Sequence, residues 1–171
     1  MQKLLILSTG GTLDKVYFDA LSDFQVGAPV AHDIVAAMNV AFEIEALEVC
    51  KKDSLEITDQ DREDLLSSIN QSNSEHILIT HGTDTMVDTA QYIAPMIIDS
   101  QKVVILTGAM QPAAFKDSDA VFNIGCAVGA MAIAAPGVYI AMSGRVYKAG
   151  DVFKNYDSRR FENIPVPQQV Q

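Results

Sequence analysis

Three apolar runs of strand length, each breaking off into a turn of threonine and glycine, constrain this chain more than any other feature of its sequence. Residues 3–7 lead into Ser8-Thr9-Gly10-Gly11-Thr12, and residues 76–80 into His81-Gly82-Thr83-Asp84-Thr85. Residues 103–106 lead into Thr107-Gly108-Ala109-Met110. A strand that is apolar at consecutive positions is apolar on both faces and has to be covered on both, which places it in a parallel sheet between two helical layers. Residues 138–142 form a fourth such run. Residues 42–49 instead alternate apolar positions with Glu43, Glu45 and Glu48, the pattern of a strand with one solvated face.

Helical periodicity fills the gaps between these runs. Pro29 opens a segment in which Ala31, Ile34, Val35 and Met38 share a face. Thr58 reads as an N-cap followed by Asp59 and Asp61, acids favoured by the helix dipole in a first turn, and Leu65, Leu66 and Ile69 form the buried stripe. Met86, Ala90, Ile93, Ala94 and Ile97 make another stripe, which Pro95 should kink or end. Asp119 begins a helix of small residues that includes Gly125, Ala127, Gly129 and Ala130, as expected for close packing on a sheet. The resulting order is β-α-β-α-β-α-β-α-β. Residues 14–28 are irregular and too long for an ordinary connection, so they read as a lid or binding loop. Residues 144–154 read as a hairpin. The expectation is one domain over residues 1–160, with a Pro- and Gln-rich tail at 161–171.

Charge and apolar lengths exclude several partners. Twelve Lys and Arg against 22 Asp and Glu leave a net charge of −10, and no basic run is present, so nucleic acid is not an expected partner. The longest apolar stretch, residues 126–138, is interrupted by Gly129, Pro136 and Gly137, so no membrane span is expected. Met1-Gln2-Lys3 leads directly into a strand and not into a signal-peptide pattern. Cys50 and Cys126 are far apart and make no Cys-x-x-Cys motif, the usage of a reduced cytoplasmic protein.

In parallel sheets ligands bind beyond the carboxyl ends of the strands, where the three Thr- and Gly-rich turns lie. None of these turns has a phosphate-loop or dinucleotide spacing. His32, His76 and His81 are scattered without a ligand partner and read as structural, so neither a metal nor a cofactor is expected. The turns suit hydrolysis by a threonine nucleophile, a weak one until a base or cation eases loss of its proton. Lys15, Lys116, Lys148 and Lys154 are available for that task. Asp84 has the chemistry to anchor such a lysine or to hold a substrate ammonium group. Backbone N–H groups at Gly82-Thr83 suit a developing oxyanion.

Thr9-Gly10-Gly11-Thr12 and His81-Gly82-Thr83-Asp84-Thr85-Met86 resemble the two signature motifs of the bacterial-type L-asparaginase/glutaminase family. Thr107-Gly108-Ala109-Met110-Gln111-Pro112 resembles that family's Gly-Ala-Met-Arg-Pro segment. The likeness runs to about Lys154 and covers the family's N-terminal domain, so the chain resembles a short, single-domain form. The resemblance implies a three-layer α/β/α, flavodoxin-like, mostly parallel sheet. It implies Thr12 as the nucleophile that attacks the carboxamide of L-asparagine, or of L-glutamine, releasing ammonia and leaving an acyl-enzyme. It makes Thr83, Lys154 and Asp84 the group that handles protons and activates water. Lys154 is placed by the likeness of Gly150-Asp151-Val152-Phe153-Lys154 to the family's Arg-Asp-Val-Thr-Lys. Substrate contacts would come from Gly11, Ser54, Leu55, Gly82, Thr83, Asp84 and Ala109.

Three departures accompany the resemblance. Leu55 stands where the family has a polar glutamine. The family's mobile-loop tyrosine has two candidates, Tyr17 on chemistry and Phe24 on local sequence, and Tyr17 is preferred. The second domain that completes a neighbouring subunit's site in the family has no counterpart in these residues. The expected function is an asparaginase, with a non-catalytic amino-acid-binding or regulatory domain as the alternative. An amidase acting on aminoacyl-tRNA is disfavoured by the charge. A homo-oligomer is expected.

Overall fold

The computed structural model of the protein describes residues 1–18, 23–97 and 100–165. Its core is a six-stranded sheet. β1 (Lys3–Gly10), β4 (Glu43–Lys52), β5 (His76–Thr80), β6 (Val103–Thr107) and β7 (Gly137–Met142) are mutually parallel, and β8 (Arg145–Lys148) pairs antiparallel with β7. The order across the sheet is β4-β1-β5-β6-β7-β8. In terms of the five parallel strands this is 2-1-3-4-5, the flavodoxin-like order.

Strand periodicity divides the core into two. Leu5, Leu7, Ile77, Ile79, Val104 and Leu106 project to one face, where they meet Leu65 and Ile69 of α2 (Asp59–Gln71) and Met86, Ala90 and Ile93 of α3 (Met86–Ile93). Leu4, Ile6, Leu78, Val103 and Ile105 project to the other. There they meet Ala31 and Val35 of α1 (Ala31–Ala37) and Ile124, Ala127 and Met131 of α4 (Ala120–Met131). Alternate residues of the apolar runs therefore serve opposite layers, which is the three-layer α/β/α arrangement expected of strands without a polar face.

Local signals set several boundaries. Thr58 caps α2 reciprocally: its hydroxyl accepts the Asp61 N–H, and the Asp61 carboxylate accepts the Thr58 N–H at 2.7 Å. α3 ends at Ile93 and passes into a 3₁₀ turn over Ala94–Met96, as Pro95 requires. β1 extends past residue 7 to Gly10, so the first Thr- and Gly-rich turn starts inside the sheet.

Two expectations require correction. Residues 14–28 are not an irregular loop throughout, since β2 (Lys15–Phe18) and β3 (Asp23–Val26) pair as an antiparallel ribbon. Its aromatic residues are exposed, so it carries none of the one-sided burial that makes a strand visible in sequence. Nor do residues 144–154 form a hairpin of their own. β8 folds back on β7, while β9 (Val152–Asn155) pairs with β10 (Arg160–Asn163). β10 continues past residue 160, and Ile164 N–H donates to Asp151 O at 2.9 Å. The rest of the expected tail, residues 166–171, lies outside the described residues.

Strand order fixes where a cleft can open. The chain leaves β1 toward β4 on one side and leaves β5 toward β6 on the other. The carboxyl ends of β1 and β5 therefore flank the topological switch point, where the following loops diverge. Thr12 follows β1 and Thr83 follows β5.

Candidate active site

Glycines bring four strand ends into contact. Gly11, at φ +85°, has no room for a side chain: a Cβ there would lie 2.5 Å from both Cα and N of Gly82. A Cβ on Gly82 would lie 2.6 Å from Ser54 Cβ, and one on Gly108 would strike the His81 carbonyl oxygen. The ends of β1, β5 and β6 and the turn after β4 are packed backbone to backbone by these absences of a side chain.

Hydrogen bonds sort the threonines of these turns by task. Thr9 Oγ1 donates to Thr80 O at 3.0 Å, Thr85 Oγ1 to Ser54 O at 2.6 Å and Thr107 Oγ1 to Ala141 O at 2.8 Å. These three hydroxyls tie neighbouring segments together through backbone carbonyls. Thr83 differs. Its Oγ1 accepts from Lys154 Nζ at 2.8 Å, and the same ammonium donates to Asp84 Oδ1 at 2.6 Å. The Lys154 side chain is 10% exposed and that of Asp84 35%, so the carboxylate is the more open to solvent of the two. Lys154 Nζ also lies 5.0 Å from the centre of the Tyr156 ring, a cation–π contact.

β9 holds Lys154 in place from outside the main sheet. Val152 is fully buried, Phe161 opposite Lys154 on β10 is nearly so, and Tyr147 O–H of β8 donates to Phe161 O at 2.6 Å. The ribbon is thereby anchored to the last strand of the sheet.

Thr12 opens a 3₁₀ turn over Thr12–Asp14, directly after Gly11, and is half-buried. The turn is held on both sides: Ala113 N–H donates to Leu13 O at 3.0 Å and Gly27 N–H to Asp14 O at 2.7 Å. Asp14 is buried, and its Oδ1 accepts the Val30 N–H at 3.0 Å while Oδ2 has no partner among the described residues. Burial pushes its carboxyl up to about 6.

The other expected site residues are dispersed around this centre. Ser54 is buried against Gly82. Ala109 is buried beside Gly108, in the same apolar cluster as Leu13. Leu55 is 74% exposed and projects from the rim. Tyr17 and Phe24, the rival candidates for one role, are cross-strand partners on the β2–β3 ribbon, with ring centres 5.5 Å apart. Tyr17 is 54% exposed. A Lys15–Asp53 ion pair of 2.7 Å joins this ribbon to the turn that carries Ser54.

Asp119 and Asn123 brace the third Thr- and Gly-rich turn, a task that sequence reasoning missed. Asp119 accepts the N–H groups of Met110 and Gln111 at 2.9–3.1 Å. Asn123 Nδ2 donates to Gly108 O at 3.0 Å, and its Oδ1 accepts the Ser143 N–H. Together they fix the third Thr- and Gly-rich turn. In sequence Asp119 reads only as a helix start, and a single asparagine in an apolar helix gives no signal beyond its polarity.

Among the described residues no helix is long and apolar enough to cross a membrane. Both cysteines are free.

Known proteins resemble this chain in sequence and fold. The family model described as Asparaginase, N-terminal, matches residues 3–169. The chain is 31% identical to a probable periplasmic L-asparaginase of Haemophilus influenzae, over 90% of its own length and 46% of that protein's. It is 32% identical to the L-asparaginase of Thermococcus kodakarensis, over 96% and 52% respectively. The solved structure of the Thermococcus kodakarensis thermostable L-asparaginase superimposes with a TM-score of 0.83, at 27% identity, over 97% of this chain and 52% of that one. One component of the glutamyl-tRNA(Gln) amidotransferase of Methanococcus maripaludis is 29% identical over 94% of this chain and 41% of its own. The chain thus spans about half the length of the curated relatives it matches. By its fold, its Thr- and Gly-rich strand ends and its match over residues 3–169, the chain belongs to the asparaginase family, in which it corresponds to the N-terminal domain.

Proposed function

We propose that this protein is an amidohydrolase that converts L-asparagine to L-aspartate and ammonia. The observation that carries the reading is the Lys154 ammonium bridging Thr83 Oγ1 and Asp84 Oδ1, one glycine contact away from the turn that bears Thr12. In the proposed reaction Thr12 Oγ1 attacks the carboxamide carbon, the C–N bond breaks and the amide nitrogen leaves, protonated, as ammonia. Water then attacks the Thr12 ester, releases aspartate and restores the hydroxyl. Thr83 and Lys154 supply and remove the protons, and Asp84 keeps Lys154 in place and receives the substrate ammonium group. Ser54, Gly11, Gly82 and Ala109 line the substrate position. Tyr17 would reach it by movement of the β2–β3 ribbon.

Ammonia release from asparagine and from glutamine, measured for the wild type and for Thr12→Ala, tests the reading. The expected result is release by the wild type, with asparagine the better substrate, and loss of about 10³-fold or more in Thr12→Ala. A Thr12→Ala variant that keeps the wild-type rate would overturn the assignment of the nucleophile.

Leu55 supports a second reading, a non-catalytic amino-acid-binding or regulatory domain. Its exposed apolar side chain offers a substrate no polar contact. Calorimetry that detects asparagine binding with no ammonia formed over hours would favour it. We also propose that the protein is cytoplasmic, a reading supported by the free Cys50 and Cys126 thiols, and that it forms a homo-oligomer. For the latter the support is the outer face of α4. Val121, Phe122, Gly125 and Gly129 are exposed there, with Ala132 and Ile133 exposed in the turn just past its end, and no charged residue lies between them in sequence, on a chain of net charge −10. A second copy is the occupant this face suits, because two equally acidic molecules approach most easily where neither carries charge.

A further inference from the structure

His81 is a fully buried ionisable group for which the reaction above has no use. It sits at the end of β5, where its N–H donates to Thr107 O at 2.9 Å and its carbonyl abuts Gly108. Its imidazole Nδ1 lies 2.8 Å from Gly82 O, and Nε2 lies 2.9 Å from Thr89 Oγ1. A carbonyl oxygen only accepts, so Nδ1 carries the hydrogen. Arg62 Nε, which only donates, is 3.2 Å from Thr89 Oγ1. One assignment satisfies every group: Arg62 Nε–H donates to Thr89 Oγ1, the Thr89 hydroxyl donates to His81 Nε2, and His81 Nδ1–H donates to Gly82 O. Burial holds the imidazole pKa down at about 4, with the Arg62 charge acting in the same direction, so this assignment persists at neutral pH. Arg62 is itself fixed by Asp59 at 2.8 Å, on the first turn of α2.

The bonded carbonyl belongs to the peptide that leads into Thr83. In a trans peptide the C=O and the following N–H point in opposite directions, and every described peptide here is trans. With Gly82 C=O drawn to the buried imidazole, Thr83 N–H points away from it. That N–H has no acceptor among the described residues. The same peptide plane sets the direction of the Thr83 side chain, whose Oγ1 must meet Lys154 Nζ.

We propose that His81 is a positioning residue: its Nδ1–H, backed by Thr89 and Arg62, fixes the Gly82–Thr83 peptide and so holds Thr83 in register with Lys154. The proposal rests on the amidohydrolase reading for its kinetic consequence but not for its geometry. Its mechanism is orientation of a group that acts, and not contact with substrate. Gly82 has no side chain of its own to fix the peptide, so the backbone packing of Gly11 and Ser54 against it and the His81 hydrogen bond to its carbonyl hold the plane together.

Two variants separate this role from simple filling of the core. In His81→Asn the side-chain amide nitrogen replaces Nδ1 and keeps a donor for Gly82 O. In His81→Gln the longer amide occupies the Nε2 position, keeps the Thr89 contact and leaves Gly82 O without its donor. The expected kinetics are a kcat lower by about tenfold or more in His81→Gln with KM changed less than about threefold, and rescue of kcat to within about threefold of wild type in His81→Asn. Nitrogen NMR of the wild-type imidazole should show the Nδ1–H tautomer at pH 7, and the Thr83 amide signal should move in His81→Gln more than in His81→Asn. An Nε2–H tautomer, equal loss of kcat in the two variants, or a Thr83 amide that moves in neither would overturn the proposal. A folded wild type that releases no ammonia would remove the amidohydrolase reading alone. The tautomer and the Thr83 amide would then decide the clamp by themselves.

Discussion

Lys154 Nζ lies 2.6 Å from Asp84 Oδ1 across 70 residues of sequence, and it reaches there from a two-stranded ribbon outside the main sheet. The ammonium is held between a carboxylate and the Thr83 hydroxyl, so removing it takes away both the cation and the means of moving a proton. Lys154→Met should lower kcat for ammonia release by about 10²–10⁴-fold. Asp84 is open enough to be solvated by water, so the loss of folding stability should be about 1 kcal/mol. Steady-state kinetics beside thermal melts checks both halves. A large fall in Tm with unchanged kcat would make Lys154 structural.

The glycine contacts predict a different kind of damage. In Gly82→Ala the new methyl would lie 2.6 Å from Ser54 Cβ and 2.7 Å from its Oγ, which forces the turn after β4 away from the end of β5. The expected cost is about 1–3 kcal/mol, or roughly 2–4 °C in Tm per kcal/mol for a chain of this size. Because the displaced residue is Ser54, KM for asparagine should rise as well. Gly125→Ala, where no atom lies within 4 Å of the added methyl, serves as the control and should not destabilise the protein.

Acid stability should show two opposed contributions. His81 has its pKa lowered to about 4 in the folded chain by burial, against 6.5 for the free group, so the unfolded chain binds more protons between those values. Its contribution therefore weakens the fold as pH falls from 6.5 to 4, by about 3 kcal/mol at the lower end. Asp14 has its pKa raised from 3.8 to about 6 by burial, so there the folded chain binds more protons, and its contribution strengthens the fold as pH falls through 6 toward 4. The two slopes overlap and partly cancel. Urea titrations at pH 4 to 7 should show a wild type that is less pH-dependent than either variant. Asp14→Asn, which keeps an acceptor for Val30 N–H, should gain stability at pH 7 and lose most of that gain by pH 4. His81→Gln should show stability falling as pH rises through the window.

The exposed face of α4 yields a test of assembly. Gly125 and Gly129 have open space above them, so a charge can be placed there without a clash inside the protomer. Gly125→Glu should shift sedimentation toward the monomer while leaving the far-ultraviolet spectrum unchanged. A wild type that sediments as a monomer at micromolar concentration, with no change in the variant, would remove the proposed contact.

The layers are legible in the sequence because burial on two faces writes itself as an unbroken apolar run. Residues 76–80 read as a strand with the bounds the structure gives, and Thr58 reads as the cap it is. The ribbon over Lys15–Phe18 and Asp23–Val26 leaves no such trace, because Val16, Tyr17, Phe18 and Phe24 are exposed and obey no core. Val152 and Phe161 are single buried contacts on short strands and leave no period to find. At the site, Asp84 and the Gly82-Thr83 turn stand out by their chemistry, whereas Thr12 is one hydroxyl among several until the family likeness selects it. Lys154 is one of four candidate lysines until the family likeness selects it. The clamp on Gly82 is hidden entirely, since it joins residues 62, 81, 82 and 89 through side-chain geometry that no spacing reveals.

The close stacking of Gly11 on Gly82 and of Gly82 on Ser54 bears on how such a site can be retuned. Where backbones touch, there is no spare volume for a larger group, so changes of substrate preference have to be written elsewhere. Leu55, three-quarters exposed beside buried Ser54, offers that freedom. On the amidohydrolase reading, redesign for a longer or differently charged amide has its practical entry at this rim, while the floor beneath it accepts glycine and little else.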